Sequence, residues 1–222
     1  MADQPSRLPT AWLSPLAASV DRVLARHGYD IAATTDAFDD AVPGDGGLFD
    51  PATTAAELRA AAERLGDTAP SPVPSPAPAL DGATAVCYTD GGSRGNPGPA
   101  GAGAVVATAA GDPVVRVGRP VGSRTDANVA EYAALHLGLD RLFACCTPSA
   151  VEVRSDSRTV IDDVWGDGEA TVDGVTRYRQ RITALLATVP DHRVVHLADH
   201  EPNPADALAT VGADIAALGP GG

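Results

Sequence analysis

Four acidic residues stand where they can do chemistry. Asp90 closes a short apolar run, Glu131 lies one turn into a long helical pattern, Asp156 follows a second apolar run, and Asp206 opens the last helical pattern. Carboxylates at strand ends and helix starts converge where a sheet is open. Four together repel one another unless cations neutralise them. Hard divalent ions with oxygen ligands do so, and Mg²⁺ is the usual choice when phosphates complete the shell. Taken singly, each acid has a plainer reading: Asp90-Gly91 as a turn, Glu131 as solvated surface, Asp156 as an N-cap, Asp206 as a charge favouring the helix dipole. Histidine offers a second chemistry. His192, His196 and His200 recur every four residues, as on a metal-binding helix face. Val194 and Val195 between them favour a strand and argue against zinc. His200 is then left in the loop before the last helix.

The elements that must position these acids alternate between strand and helix. Ala85 to Thr89, Ala102 to Ala109 and Pro113 to Arg119 read as strands, the last two joined by a hairpin turn at Ala110-Gly111-Asp112. Asp126 caps a helix running to about Phe143. Val151 to Arg154 and Arg193 to Leu197 are the fourth and fifth strands. Helices are expected from Ser157 to Val164, from Val175 to Val189, and from Asn203-Pro204 onward, where Leu208, Val211, Ile215 and Leu218 form one stripe. Three successive strands followed by alternating helices and strands predict an α/β fold: a five-stranded mixed sheet flanked by helices.

A different segment precedes this. Residues 67–82 are Pro-rich, which disfavours helix and sheet and suits a semi-rigid polyproline II spacer. The spacer separates a small helical N-terminal module, residues 1–66, from a catalytic-sized domain, residues 83–219. In the module, Leu13, Leu16, Val20 and Leu24 mark one helix face between Trp12 and His27. Asp50-Pro51 opens a second helix, with Thr54 and Glu57 at capping-box spacing and Gly66 as its stop. The stretch between is rich in Asp and reads as a loop with a turn at residues 44–47. Asp39 and Asp40 there are simplest as solvated surface.

Four segments of the larger part resemble ribonuclease H type 1, in order. Asp90-Gly91 with Asn96-Pro97-Gly98 matches the family's strand-terminal Asp and Gly-rich turn. Ala130-Glu131-Tyr132-Ala133-Ala134-Leu135 matches the helix of the compact, archaeal-like members. Ser155-Asp156-Ser157 matches the next strand end, and Ala205-Asp206-Ala207-Leu208-Ala209 the last helix. The match spans nearly all of residues 84–218. The resemblance implies a ribonuclease H-like fold and endonucleolytic hydrolysis of the RNA strand of RNA–DNA hybrids, leaving 5′-phosphate and 3′-hydroxyl ends. It implies two Mg²⁺ (or Mn²⁺) ions held by Asp90, Glu131, Asp156 and Asp206, about 3.5–4 Å apart as is usual for two-metal sites. His200 becomes the candidate for proton transfer or product release. Gly91, Asn96 and Asn128 become candidates for contact with the hybrid's minor groove, where 2′-hydroxyls distinguish RNA from DNA.

The match has departures. Asn203-Pro204-Ala205-Asp206 is one residue shorter than the family's usual Asn-to-Asp spacing. Ala127-Asn128 replaces two consecutive Asn, and Asp163 stands about where a substrate-contacting Gln is common. No basic handle helix is evident; Arg177 and Tyr178-Arg179-Gln180-Arg181 form the most basic spot. These departures keep open an alternative: a non-catalytic module of the same fold that binds nucleic acid or protein.

Composition bears on the partner. The 222 residues carry a net charge of -13; all 16 basic residues are Arg, against 23 Asp and 6 Glu. Such a lysine-free, Asp-rich chain resembles the cytosolic proteins of salt-accumulating halophiles. The charge is −5 over 1–66, −2 over 67–83 and −6 over 84–222, so no part offers the basic footprint of an ordinary nucleic-acid binder. At molar salt that footprint contributes little, because counterion release weakens steeply with log salt. A hybrid partner therefore stays compatible, held by metal bridges, hydrogen bonds and shape. Other classes fall away. No apolar run nears the ~20 residues of a membrane span, and no signal peptide is visible. Three Cys do not make a disulfide framework, and Cys145-Cys146 reads as buried apolar filling. A monomer in a reducing cytoplasm is the expectation.

Overall fold

The computed structural model describes residues 8–44, 46–67, 77–166, 172–198 and 200–219. Strands β1 (Thr84–Ser93), β2 (Gly98–Thr108) and β3 (Pro113–Thr125) form an antiparallel meander, and β4 (Ala150–Ser155) and β5 (Asp191–His196) extend it in parallel. The spatial order is β3-β2-β1-β4-β5. This is the five-stranded mixed sheet expected. β1 runs on to Ser93 against β2, but its pairing with β4 stops at Tyr88↔Arg154. Asp90 therefore lies inside a strand rather than at its end, just beyond the point where β1 and β4 part.

Helices cover both faces. Helix α4 (Ala127–Cys145) packs on β1 and β2, and the last helix, α7 (Asp206–Ala216), on β2 and β3. The side chains of β2 alternate between them. A Cβ on Gly138 of α4 would meet Cys87 Sγ at 2.6 Å and Ala104 Cβ at 3.1 Å, whereas Gly101 and Gly103 of β2 are pressed by the backbone of α7. Helices α5 (Arg158–Trp165) and α6 (Thr176–Leu186) pack beside α4, α6 burying Tyr178, Ile182 and Leu186. Cys87, Cys145 and Cys146 are buried free thiols.

The N-terminal part holds α1 (Pro15–Arg26), α2 (Ile31–Ala41) and α3 (Ala55–Asp67). Helix α2 corrects the loop expected there. It buries only Ile31, Thr34 and Phe38, so its apolar face is too thin to stand out among Ala and Asp. Asp50-Pro51 sits in turns, not at a helix start; α3 begins at Ala55. Its capping box is as read: Thr54 N–H donates to Glu57 Oε2 at 2.8 Å and Glu57 N–H to Thr54 Oγ1 at 3.3 Å. The spacer's residues 68–76 lie outside the described residues. At its C-terminal side, Ala77 N–H donates to Cys145 O at 3.0 Å and Gly82 N–H to Thr147 O at 2.9 Å, so this end is tied to the end of α4.

These helices share one core with the sheet. The segments that lead into and out of α1 also pair with the outer edge of β3, whose unpaired backbone would otherwise be open to another strand. Ala11 N–H donates to Val121 O at 2.8 Å, Ser123 N–H to Trp12 O at 2.9 Å, and Gly118 N–H to Tyr29 O at 3.0 Å. Below this edge Arg119 (1% exposed) faces Asp21 (0%) of α1 at 3.4 Å. The guanidinium also donates to Leu8 O at 3.2 Å and lies 4.9 Å over the Tyr29 ring.

Candidate active site

The site forms where β1 and β4 separate. Asp90 projects from β1, Asp156 follows the end of β4, and Glu131 comes from the second turn of α4. One carboxylate oxygen of each lies within 4.8 Å of the others. Among the described residues no other group of His, Cys, Asp and Glu is gathered so closely. Gly91 makes the approach possible. A Cβ there would fall on the Glu131 nitrogen and the Ala130 carbonyl carbon, so α4 could not rest against β1 at this level. Its N–H also donates to the Glu131 carboxylate. Gly91 is thus seen as the seat of Glu131.

Asp206 reaches the same place from the other face. It opens α7, and with Asp90, Asp156, His200, Glu201 and Asn203 it lines a cleft of about 380 Å³. Sequence reasoning passed over Glu201, whose Oε2 accepts the Ala198 N–H at 2.7 Å and shapes the loop carrying His200. The sequence marks Asn203 as the opening of the last helix and as a departure in spacing; the structure puts it on the cleft wall. Nothing in its isolated signal, an Asn before a Pro, distinguishes such a residue from an ordinary turn.

The acids strain one another electrostatically. Burial pushes the pKa of Asp90 up to about 6, with Asp156 and then Asp206 adding to it. Burial, then Asp90 and Asp156, pushes Glu131 up to about 9 against the opposing hydrogen bond from Gly91. Oε2 of Glu131 is buried with no hydrogen-bond partner. Three converging carboxylates, an unanswered buried oxygen and acids reluctant to ionise together are what a hard divalent cation relieves. The residues present fit such an ion.

The other expected residues are placed as follows. Asn96 and Asn128 lie at the start of α4 rather than on the cleft wall. Asn96 Oδ1 accepts the Ala127 N–H at 3.2 Å, and Asn128 Nδ2 donates to Asp126 Oδ1 at 3.0 Å. Asp163 does not stand in for a substrate-contacting residue. It is buried, accepts from Tyr132 Oη at 2.9 Å and faces Arg179 Nε at 3.1 Å, tying α5 to α4 and α6. That pairing offsets the charge of Arg179, whose side chain stays 43% exposed. His196 ends β5 as expected; the strand starts earlier than expected, at Asp191, so His192 lies on it too, and its Nδ1 accepts from Trp165 Nε1 at 3.1 Å.

Comparison with known proteins follows this geometry. Residues 82–211 match the model of the family described as RNase H. The chain belongs to the RNase H family. Its five-stranded mixed sheet flanked by helices is therefore that of an RNase H fold, preceded here by helices α1, α2 and α3. The chain is 36% identical over 129 residues to ribonuclease HI of Halobacterium salinarum, covering 58% of this chain and 64% of that protein. Over 81 residues it is 44% identical to a bifunctional protein of Mycobacterium tuberculosis, covering 36% of this chain but only 22% of that one. The matches thus span less than two thirds of these relatives. Among solved structures, the N-terminal RNase H domain of a Mycobacterium tuberculosis protein superposes with a TM-score of 0.57 at 32% identity, covering 61% of this chain and 96% of that one. RNase H1 from Halobacterium salinarum gives 0.54 at 33% identity, covering 59% and 98%. LC11-RNase H1, solved in complex with an RNA/DNA hybrid, gives 0.54 at 30%, covering 59% and 96%. Among the described residues no helix is long and apolar enough to cross a membrane.

Proposed function

We propose that this RNase H family member hydrolyses the RNA strand of RNA–DNA hybrids, leaving 5′-phosphate and 3′-hydroxyl ends. The observation that carries the reading is the convergence of Asp90, Glu131 and Asp156 within 4.8 Å, with Asp206 on the same cleft. These four would hold two Mg²⁺ or Mn²⁺ ions, which when bound supply an activated water and charge neutralisation at the leaving 3′-oxygen. The chain's own residues do the rest. Gly91 holds Glu131 in place through its N–H. His200, exposed on the cleft wall, would be the residue that carries protons to and from solvent as the product leaves. Asn96 and Asn128 flank the start of α4, where side-chain amides can both donate to and accept from a 2′-hydroxyl. Residues 83–219 form the catalytic part and 1–66 a helical module joined to it by the Pro-rich 67–82 segment. The setting that suits the charge is a salt-rich, reducing cytoplasm.

The test is cleavage of an end-labelled hybrid at molar salt with Mg²⁺ or Mn²⁺. RNA-strand cleavage by the parent and none by Asp90→Asn is expected. Folded parent protein that leaves the hybrid intact, or undiminished cleavage by Asp90→Asn, overturns the reading. Metal-independent hybrid binding without turnover would instead identify a binding module.

A further inference from the structure

Asp90 and Asp206 come from elements far apart in the chain, and their charges repel. Two features bring them together. The first is Gly103, which pairs with Asp90 in the β1–β2 register. A Cβ at Gly103 would collide with the Ala205 carbonyl, so the glycine lets the start of α7 settle beside Asp90's strand. The second is Asn203. Its Nδ2 donates to the Thr89 carbonyl at 3.0 Å, and its Oδ1 accepts the Ala205 N–H at 3.1 Å. Its backbone carbonyl accepts the Asp206 N–H at 3.2 Å. Thr89 immediately precedes Asp90, and Ala205 immediately precedes Asp206. One amide therefore spans the gap between two acid-bearing elements, and each of its bonds ends one residue from a site carboxylate. A side-chain amide carries a donor and an acceptor on separate atoms, as this bridge requires. Helix α7 has no side-chain cap of its own, so Asn203 is also what organises its entry.

We infer that Asn203 is a positioning residue that sets the separation of Asp206 from Asp90, and so the affinity of the site for divalent cation. This rests on the metal-dependent reading above. It is distinct from substrate recognition, since both bonds of the amide are made within the protein. The shortened Asn-to-Asp spacing is then no defect: with Pro204 fixing one backbone angle, the shorter loop holds the bridge.

The experiment is Mn²⁺ titration of the free full-length protein, read by the electron-paramagnetic resonance of unbound Mn²⁺, beside hybrid cleavage at varied metal. Asn203→Ala loses both bonds. Asn203→Ser keeps an acceptor for the Ala205 N–H but cannot reach Thr89. Both are expected to weaken Mn²⁺ binding by about 10–100-fold, the range for loss of a group that orients metal ligands. KM for hybrid at saturating metal should stay at the parent value. Parent-like Mn²⁺ affinity in folded Asn203→Ala or Asn203→Ser overturns the inference, whatever their melting temperatures. Should Asn203→Ala not fold, Asn203→Ser alone decides. If the parent neither binds Mn²⁺ nor cleaves hybrid, the proposed function itself fails, and the inference with it.

Discussion

Asp21→Ala tests how deeply the N-terminal helices belong to the fold. Asp21 and Arg119 are 0% and 1% exposed, and their charged atoms are 3.4 Å apart. Removing the carboxylate leaves a guanidinium in the core, and breaking a buried pair from one side costs about 3–5 kcal/mol. Two contacts of Arg119 survive: the Leu8 carbonyl at 3.2 Å and the Tyr29 ring at 4.9 Å. They place the expectation at the lower end, about 3 kcal/mol. A chain of this size loses about 2–4 °C of Tm per kcal/mol, so the melting temperature should fall by about 6–12 °C. Thermal unfolding followed by circular dichroism at fixed molar salt measures this. Salt should not abolish the effect, because a buried pair is screened little. Asp21→Leu combined with Arg119→Met should recover much of the loss, since apolar replacement of both partners removes the stranded charge. A drop under about 2 °C, or a separate early transition for the helices, would refute the view that they and the sheet share one cooperative core.

Three further outcomes are expected. Gly91→Ala should destabilise the fold by about 1–3 kcal/mol and abolish cleavage, because the added methyl displaces α4 and Glu131 with it; melting and hybrid cleavage measure the two effects. In metal-free protein the raised pKa values of Glu131 (about 9) and Asp90 (about 6) mean that the folded state keeps protons the unfolded chain would release. Their stabilising contribution is present below about pH 4 and is lost as pH rises through 6 and 9, so Tm should fall along that range, and added Mg²⁺ or Mn²⁺ should flatten the dependence. Cleavage at limiting metal should rise over the same range, because protons and cations compete for these carboxylates. Deleting residues 1–67 should yield protein that self-associates, detectable by light scattering, because the β3 edge bonded by Ala11, Trp12 and Tyr29 is exposed.

Much of the site was legible in one dimension. The four acids stand out as isolated carboxylates in or beside apolar runs, and those runs became the strands and helices that carry them, although β1 continues past Asp90 to Ser93. The N-cap at Asp126 and the capping box at Thr54 and Glu57 were readable for the same reason: each uses a bond between residues two or three apart. Helix α2 was not, because its three buried side chains signal amphipathicity only once a surface exists to receive them. The structural role of Asp163 was not legible, because a buried carboxylate and an exposed one look alike without Tyr132 and Arg179 beside it.

The sequence by itself determined the class of fold, the acids and their order, and an acidic, lysine-free surface suited to salt. All of these follow from local pattern or composition. The tertiary structure alone decided that Gly91 seats Glu131, that Gly103 and Asn203 bring Asp206 to Asp90, and that the segments flanking α1 close the edge of β3 over a buried Asp21–Arg119 pair. Each joins residues separated by 40 to more than 100 positions, and no periodicity in the chain encodes a contact whose partner is chosen only when the sheet and helices pack.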